Sequence, residues 1–308
     1  MGSISNILQF LVSGLALGST YAIVAIGFTI IFSSTEVVNF AQGEFVMLGA
    51  MISYWLVSGL HWPLYAAVPV AVVLAMLCGI ILGWVLMRPR NGASPVSLII
   101  ITVGASMLLQ GLASNLWGKD AVSLPPFTAG DPLMWTLPSW LTHTTEAPPV
   151  VIMQQQLWVM GLTAALVLGL TLFFNRTMVG KALRAVAVNK HGARLVGVNV
   201  SRLVMGAFAL SAAMGALAGA AIAPISCGQY DMGSMIGMKG FAAAIVGGLG
   251  NFPGSIVAGL LLGVMESFGA GYISSEYKDA FAFIILLVVL FVSPNGIFAL
   301  LRRKAVRE

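Results

Sequence analysis

The chain has 308 residues, of which 59% are hydrophobic and only 8% charged, and its mean hydropathy is +0.97. Soluble domains carry roughly a quarter charged residues, so this composition excludes a water-soluble globular protein. The long apolar runs exceed the ~18 residues that mark a membrane helix and lack the alternation of a β-barrel. The sequence therefore predicts an all-α integral membrane protein with about eight transmembrane helices.

Six helices are expected at about 6–33, 37–58, 64–87, 95–117, 152–175 and 202–224. Two short segments, 236–250 and 255–271, meet at the motif GGLGNFPG, which should break any helix, and a last helix covers 277–293. Short segments interrupted by Gly and Pro indicate either a substrate route or a packed hairpin that does not contact the substrate.

Basic residues set the predicted orientation. Three clusters contain twelve of the fifteen Lys and Arg residues: Arg88 with Arg90, six residues from Arg176 to Arg202, and Arg302, Arg303, Lys304 and Arg307. The positive-inside rule places all three in the cytoplasm. The segment 118–150 is acidic and rich in Pro, which predicts an external loop. The net charge of +5 therefore reflects topology rather than nucleic-acid binding.

The second predicted helix begins with EVVNFAQGE, which carries the first charges of the chain. Glu36 and Asn39 are expected at the cytoplasmic surface, with Gln42 and Glu44 one to two turns deeper at ~1.5 Å per residue. A lipid-facing carboxylate there would cost about 2.5 kcal/mol or more, so Glu44 must face protein, water or a partner's cation. The stretch is interpreted as the inner mouth of a substrate route, and the alternative is a polar cap.

Two further ionisable residues, Lys239 and Glu266, lie inside the predicted membrane region. They are expected at similar depth on antiparallel segments, which favours an ion pair because a lone charge in lipid is costly. The alternative is that Lys239 extends to the external surface without a partner.

Glycines four residues apart predict close helix–helix packing. The pairs are Gly14 with Gly18, Gly215 with Gly219, and Gly259 with Gly263. Small residues at this spacing give a helix one smooth face against which another backbone can pack. Such faces serve either fixed packing within one subunit or helices that slide during transport.

The basic segment 176–202 contains KALRAVAVNKHGARL (181–195), which predicts a short amphipathic helix. Leu183, Val186 and Ala187 are expected on its apolar face. A helix of this kind can lie on a bilayer or in a groove of another protein. The stretch has small residues and no Trp or Phe anchor, which favours the protein groove.

Three segments resemble those of a known family, in matching order over about residues 14–296: NFAQGEFVMLGAM, GKALRAVAVNKHGARLVGVNVSR and MKGFAAAIVGGLGNFPGSIVAGLLLG. In these segments the chain resembles the H-type membrane subunit of bacterial branched-chain amino acid ABC importers. The family pattern has His where this chain has Gln42. This departure leaves the solute open among branched-chain amino acids, other amino acids, urea and short amides.

The resemblance implies one permease domain, 1–308, that crosses the bacterial inner membrane several times, with a cytoplasmic coupling loop (176–202) and tail (302–308). It implies as partners a second permease, homologous or identical, two cytoplasmic ATPases and a periplasmic binding protein. The coupling residues would be Gly180, Lys181, Arg184, Ala187, Arg194 and Gly197. Polarity and depth suggest Asn39, Gln42, Glu44, Lys239 and Glu266 for the substrate route.

No enzymatic activity is expected of the chain itself. It lacks a GxxxxGK[ST] phosphate loop, so ATP and Mg²⁺ would bind to the partner ATPases and this chain would bind no cofactor. An intramembrane enzyme would need a constellation such as Ser/His or HExxH, which the sequence lacks. The remaining alternative is a secondary transporter or channel driven by an ion gradient, for which Glu266 and the segment 236–250 are the candidates.

Overall fold

The computed structural model describes residues 4–88, 95–128, 130–136, 149–293 and 296. The helices are α1 Ile4–Thr35, α2 Gln42–Tyr54, α3 Leu64–Met87, α4 Pro95–Leu116, α5 Gln154–Arg176, α6 Met178–Val188, α7 Lys190–Leu195, α8 Val200–Ser226, α9 Met232–Gly247, α10 Phe252–Tyr272 and α11 Lys278–Val292. Strands β1 Leu133–Trp135 and β2 Val150–Ile152 pair antiparallel. The predictions for Arg90 and for the tail 302–308 lie outside the described residues.

The all-α membrane architecture is confirmed, whereas the number of eight spans is not. Among the described helices, α1, α3, α4, α5, α8 and α10 are long and apolar enough to cross a membrane. The segment expected to be short at 255–271 is part of α10, a full-length helix of 21 residues. Helix α9 is a shorter apolar helix of 16 residues. The break between α9 and α10 is confirmed, and Gly248 and Gly250 both have positive φ there.

Helix α1 lies at the centre of the bundle and packs closely on α10 through glycine. A Cβ atom added to Gly14 would lie 2.6 Å from the Cα of Val264, and one added to Gly259 would lie 2.6 Å from the Cα of Ala22. Helices α2 and α8 meet in the same way, since a Cβ on Gly215 would lie 2.9 Å from the Cβ of Phe45. The predicted close packing at glycine is therefore confirmed within one chain.

The predicted start of the second helix is wrong. Helix α1 ends at Thr35, Glu36 takes a left-handed φ of 61°, and the chain stays non-helical until Gln42. The Gln42 side chain packs against Gly27, eight residues before the end of α1 and thus about 12 Å inside the bundle. The chain therefore reverses at Glu36 and runs back along α1 before α2 begins.

This reversal also corrects the expected position of Asn39. Glu36 is exposed as predicted, but Asn39 is 1% exposed and lies inside the protein rather than at its surface. At its other end α2 continues into a π-helical turn, Trp55–Gly59. The polar stretch is therefore an extended segment that enters the bundle, not the first turn of a helix.

The bundle has two ends of different character. The basic end holds Arg88, α6 and α7, and the opposite end holds the β1–β2 pair and the turn 227–231. Helices α6 and α7 replace the single helix expected over 181–195. The chain breaks at Asn189, whose Oδ1 accepts a hydrogen bond of 2.9 Å from the amide of Gly192 and so caps α7.

Candidate functional site

Gln42 is fully buried and is bound to α8 by two hydrogen bonds. Its Nε2 donates to the carbonyl oxygen of Ser211 at 3.3 Å, and the Ser211 hydroxyl donates to its Oε1 at 2.6 Å. Both polar groups of the amide are thus used inside the protein, as buried polar groups require. This residue, selected from the sequence for the substrate route, joins α2 to α8.

Glu44 is a buried carboxylate that meets no cation among the residues described. Its Oε1 accepts hydrogen bonds from Ser106 on α4 at 2.8 Å and from Ser234 on α9 at 3.4 Å. Its Oε2 is buried and has no hydrogen-bond partner there. An uncompensated buried charge is costly. One acceptor is therefore left for a donor that the described part of this chain does not supply.

Asn39 belongs to the basic end rather than to the middle of the bundle. Its Oδ1 accepts a hydrogen bond of 3.1 Å from the amide of Ala41, and its Nδ2 has no partner among the described residues. It lines a cavity of about 210 Å³ together with Thr102, Lys190 and Arg194. This cavity lies between the chain reversal and α7.

The predicted ion pair between Lys239 and Glu266 is confirmed, and it belongs to a larger cluster. Nζ of Lys239 lies 2.7 Å from Oε1 of Glu266 and 2.5 Å from Oδ1 of Asp279. The Tyr21 hydroxyl donates to Oε2 of Glu266 at 2.9 Å. Lys239 is 5% exposed, so the alternative of a lysine extending to the surface is wrong. We call Tyr21, Lys239, Glu266 and Asp279 the ion cluster; it joins α1, α9, α10 and α11.

Sequence reasoning missed two members of this cluster. Asp279 lies in the first turn of α11, where an acidic residue also suits the helix dipole, so it gave no sign of a buried partner. Tyr21 gave no signal, because an aromatic residue inside an apolar helix is ordinary. Two features of the sequence did indicate the cluster: the short length of the helix at 232–247 and the isolated lysine within it.

At the basic end, α6 presents a buried face and an exposed face. Leu183, Val186 and Gly180 are buried against the bundle, and a Cβ on Gly180 would lie 2.6 Å from the Cα of Phe174. Ala187 is exposed, so the expectation that it shares the apolar face of Leu183 is wrong. Gly180 thus lets α6 pack closely on α5.

The exposed residues of α6 and α7 form a mixed basic and apolar surface. We call it the basic-end surface; its members are Met178, Lys181, Arg184, Ala187, Val188, Arg194, Leu195 and Val196. Val188 and Leu195 are 88% and 89% exposed. Apolar side chains exposed beside basic ones are typical of surfaces that bind a partner protein or lie on a bilayer. Gly197, which has a φ of +82°, ends this surface after α7.

One contact links this surface to the chain reversal. Nζ of Lys190 donates to the carbonyl oxygen of Thr35 at 2.9 Å and lies 3.4 Å from Oε1 of Glu36. Helix α7 is therefore attached to the segment that leads to Gln42 and Glu44. Sequence reasoning grouped Lys190 with the basic residues and did not foresee this contact.

The comparisons with known proteins agree with this architecture. The model of the family described as "Branched-chain amino acid transport system / permease component" matches residues 10–290. The chain belongs to this family. The expected resemblance is thereby confirmed, and the protein is the permease component of a transport system rather than an enzyme.

Relatives match this permease over nearly its whole length. It is 35% identical to the high-affinity branched-chain amino acid transport system permease protein LivH of Escherichia coli K12, over 94% of each chain. It is 33% identical to BraD of Pseudomonas aeruginosa, over 96% of this chain and 97% of that one. A more distant relative is the ribose import permease protein RbsC of Haemophilus influenzae, 25% identical over 94% of this permease and 85% of RbsC.

Proposed function

We propose that this chain is the translocation subunit of a bacterial ABC importer that takes up branched-chain or related amino acids across the inner membrane. The observation that carries the proposal is the family match over residues 10–290, together with relatives named for branched-chain amino acid transport. A periplasmic binding protein delivers the amino acid at the opposite end. A second permease, homologous or identical, completes the path, and two cytoplasmic ATPases bind ATP and Mg²⁺.

In this proposal the ATPases bind the basic-end surface. A bound partner would bury its exposed apolar side chains, such as Val188 and Leu195. Lys181, Arg184 and Arg194 supply positive charge around them. Lys190 then passes the movement of α7 to the chain reversal. The path itself involves α2, α4 and α9 around Glu44, with the ion cluster towards the opposite end.

The test is uptake of labelled leucine, isoleucine and valine into proteoliposomes that contain the complete complex. We expect uptake only when ATP and the ATPases are present on the side of the basic end and the binding protein is present on the opposite side. Uptake by the purified permease alone, driven by a proton or sodium gradient, would instead establish a secondary transporter and overturn the proposal.

A second measurement tests the basic-end surface. Replacing Ala187 with Glu should prevent the ATPases from copurifying while the permease still inserts in the membrane, because a bulky acidic group would occupy the docking area. Glu276→Lys, a charge change at an exposed residue of the opposite end, is the matched control. Normal copurification with Ala187→Glu would remove the docking assignment.

A further inference from the structure

A cavity of about 410 Å³ opens at the opposite end of the bundle, and the ion cluster lines it. Its walls come from α1, the end of α8, α9, α10, α11 and the turn 227–231. This volume lies within the roughly 300–1,000 Å³ of small-molecule sites. The cavity is therefore large enough for a small solute and offers it charged groups of both signs.

The two ion pairs of Lys239 differ in their access to this cavity. The side chain of Glu266 is 4% exposed, and Tyr21 holds its second oxygen, so this pair is enclosed. The side chain of Asp279 is 34% exposed. A ligand that enters the cavity can thus reach the Lys239–Asp279 pair while the Lys239–Glu266 pair stays intact.

Further polar groups of the cavity have no partner within the described residues. The Thr20 hydroxyl is buried without a hydrogen bond, and Thr20 lines the cavity. The exposed side chains of Asp231 and Lys278, which also line it, form no ion pair there. A buried hydroxyl without a partner is unusual, because burial costs free energy unless a hydrogen bond compensates it. These groups indicate a site for a polar ligand rather than a packed apolar wall.

We propose that this cavity receives the zwitterionic head group of an α-amino acid, whose carboxylate binds Lys239 in place of Asp279 while its ammonium binds Asp279. The inference rests on the proposed function and adds to it the residues that recognise the head group. Insertion of the zwitterion replaces one ion pair by two and leaves the net charge unchanged, which limits the cost of burying charge.

The same arrangement discriminates against solutes that carry only one of the two charges. A carboxylate without an amine would come close to both Glu266 and Asp279, and like charges at short distance repel. An amine without a carboxylate would bind Asp279 but give Lys239 no replacement anion. We therefore expect the cavity to prefer leucine over 4-methylpentanoate, which lacks the ammonium, and over leucinamide, which lacks the carboxylate.

The native thiol of Cys227, which lines the cavity and is half-buried, provides the readout. In the complex of permeases and ATPases in nanodiscs, with Cys78→Ser in this chain, the labelling rate of Cys227 by a membrane-impermeant methanethiosulfonate is measured by mass spectrometry. Leucine at about ten times its Kd should slow labelling about tenfold. The two analogues at the same concentration should leave the rate nearly unchanged. No protection by leucine, or equal protection by all three compounds, would overturn the inference.

Variants of Asp279 assign the effect to the ion pair. Asp279→Asn should abolish protection by leucine, whereas Glu276→Gln, a charge removal at an exposed neighbour that does not line the cavity, should retain it. Full protection in Asp279→Asn would overturn the assignment. If Asp279→Asn does not fold, the inference is tested by the comparison of leucine with its two analogues on the native cavity. Absence of ATP-dependent leucine uptake would refute the proposed function, whereas normal uptake with an unprotected Cys227 would refute this inference alone.

Discussion

Nζ of Lys190 lies 2.9 Å from the carbonyl oxygen of Thr35, so α7 is attached directly to the end of α1. The nearby ion pair with Glu36 is solvent-exposed on the Glu side and contributes about 0–1 kcal/mol. The hydrogen bond from an ammonium to a carbonyl is the stronger link, because charge assists it. The contact joins α7, which carries part of the basic-end surface, to the non-helical segment that leads into α2.

Replacing Lys190 with Met should uncouple ATP hydrolysis from transport. The methionine keeps the apolar stem but removes the hydrogen bond to Thr35, so α7 can move without the chain reversal. We expect ATPase activity to persist while leucine transported per ATP falls several-fold, as measured in proteoliposomes. Glu36→Gln removes only the exposed ion pair and should change little. An unchanged ratio of transport to hydrolysis in Lys190→Met would contradict the link.

Replacing Glu44 with Gln should impair transport without loss of folding. The amide still accepts hydrogen bonds from Ser106 and Ser234, so the local structure is retained while the charge is removed. The variant loses the free acceptor Oε2, to which the proposed path would bring a donor. A hydrogen bond to a charged group contributes about 1.5–3 kcal/mol, which corresponds to roughly a 10- to 150-fold fall in kcat/KM for uptake. Ser106→Ala should have a smaller effect. Wild-type uptake by Glu44→Gln would show that its charge takes no part in the path.

The ion cluster should respond unequally to loss of its members. Lys239→Met leaves Glu266 and Asp279 facing each other without a cation, and breaking a buried pair in this way costs about 3–5 kcal/mol. Glu266→Gln is milder because Asp279 still pairs with Lys239. The double variant Lys239→Met with Glu266→Gln should be more stable than Lys239→Met alone. Thermal denaturation in detergent measures the stability of each variant. Equal stability of Lys239→Met and Glu266→Gln would contradict this prediction.

Enlarging Gly259 should separate α1 from α10. The Cβ of Gly259→Ala would lie 2.6 Å from the Cα of Ala22, so the backbones must shift, at a cost of about 1–3 kcal/mol typical of overpacking. A lower denaturation temperature is expected. Gly104→Ala is the matched control, since no atom lies within 4 Å of the added Cβ. Equal stability of the two variants would show that the α1–α10 contact can relax without cost.

The sequence predicted the elements whose signal is local and repeated. Apolar runs located α3 and α4 to within a residue or two, and the GGLGNFPG motif located the break between α9 and α10. Membrane depth alone predicted the pair of Lys239 with Glu266, because two buried charges at equal depth have few other ways to be compensated. The family followed from three short motifs in matching order.

The sequence failed where the outcome depends on tertiary contacts. The stretch 36–41 has no Gly or Pro to announce a reversal, and Glu36 takes a left-handed φ that few residues other than glycine adopt. Asp279 joins the ion cluster from 40 positions away, a partnership that no local pattern encodes. The orientation of Ala187 depends on how α6 rests on α1 and α5, which the helical periodicity of an isolated segment does not determine.

The reversal at Glu36 affects the thickness of protein that separates the two aqueous compartments. Helix α2 begins about 12 Å inward from the end of α1, and the non-helical backbone before it lies beside the cavity lined by Asn39 and Lys190. Non-helical backbone is tolerated at this depth because its amides have partners: Phe40 donates to the Thr102 hydroxyl at 3.2 Å and Ala41 donates to Oδ1 of Asn39 at 3.1 Å. If water fills that recess, the protein that separates the two aqueous compartments is thinner here than the full length of α1 by those ~12 Å. A passing solute then has to be shielded from solvent over less than the full length of the bundle.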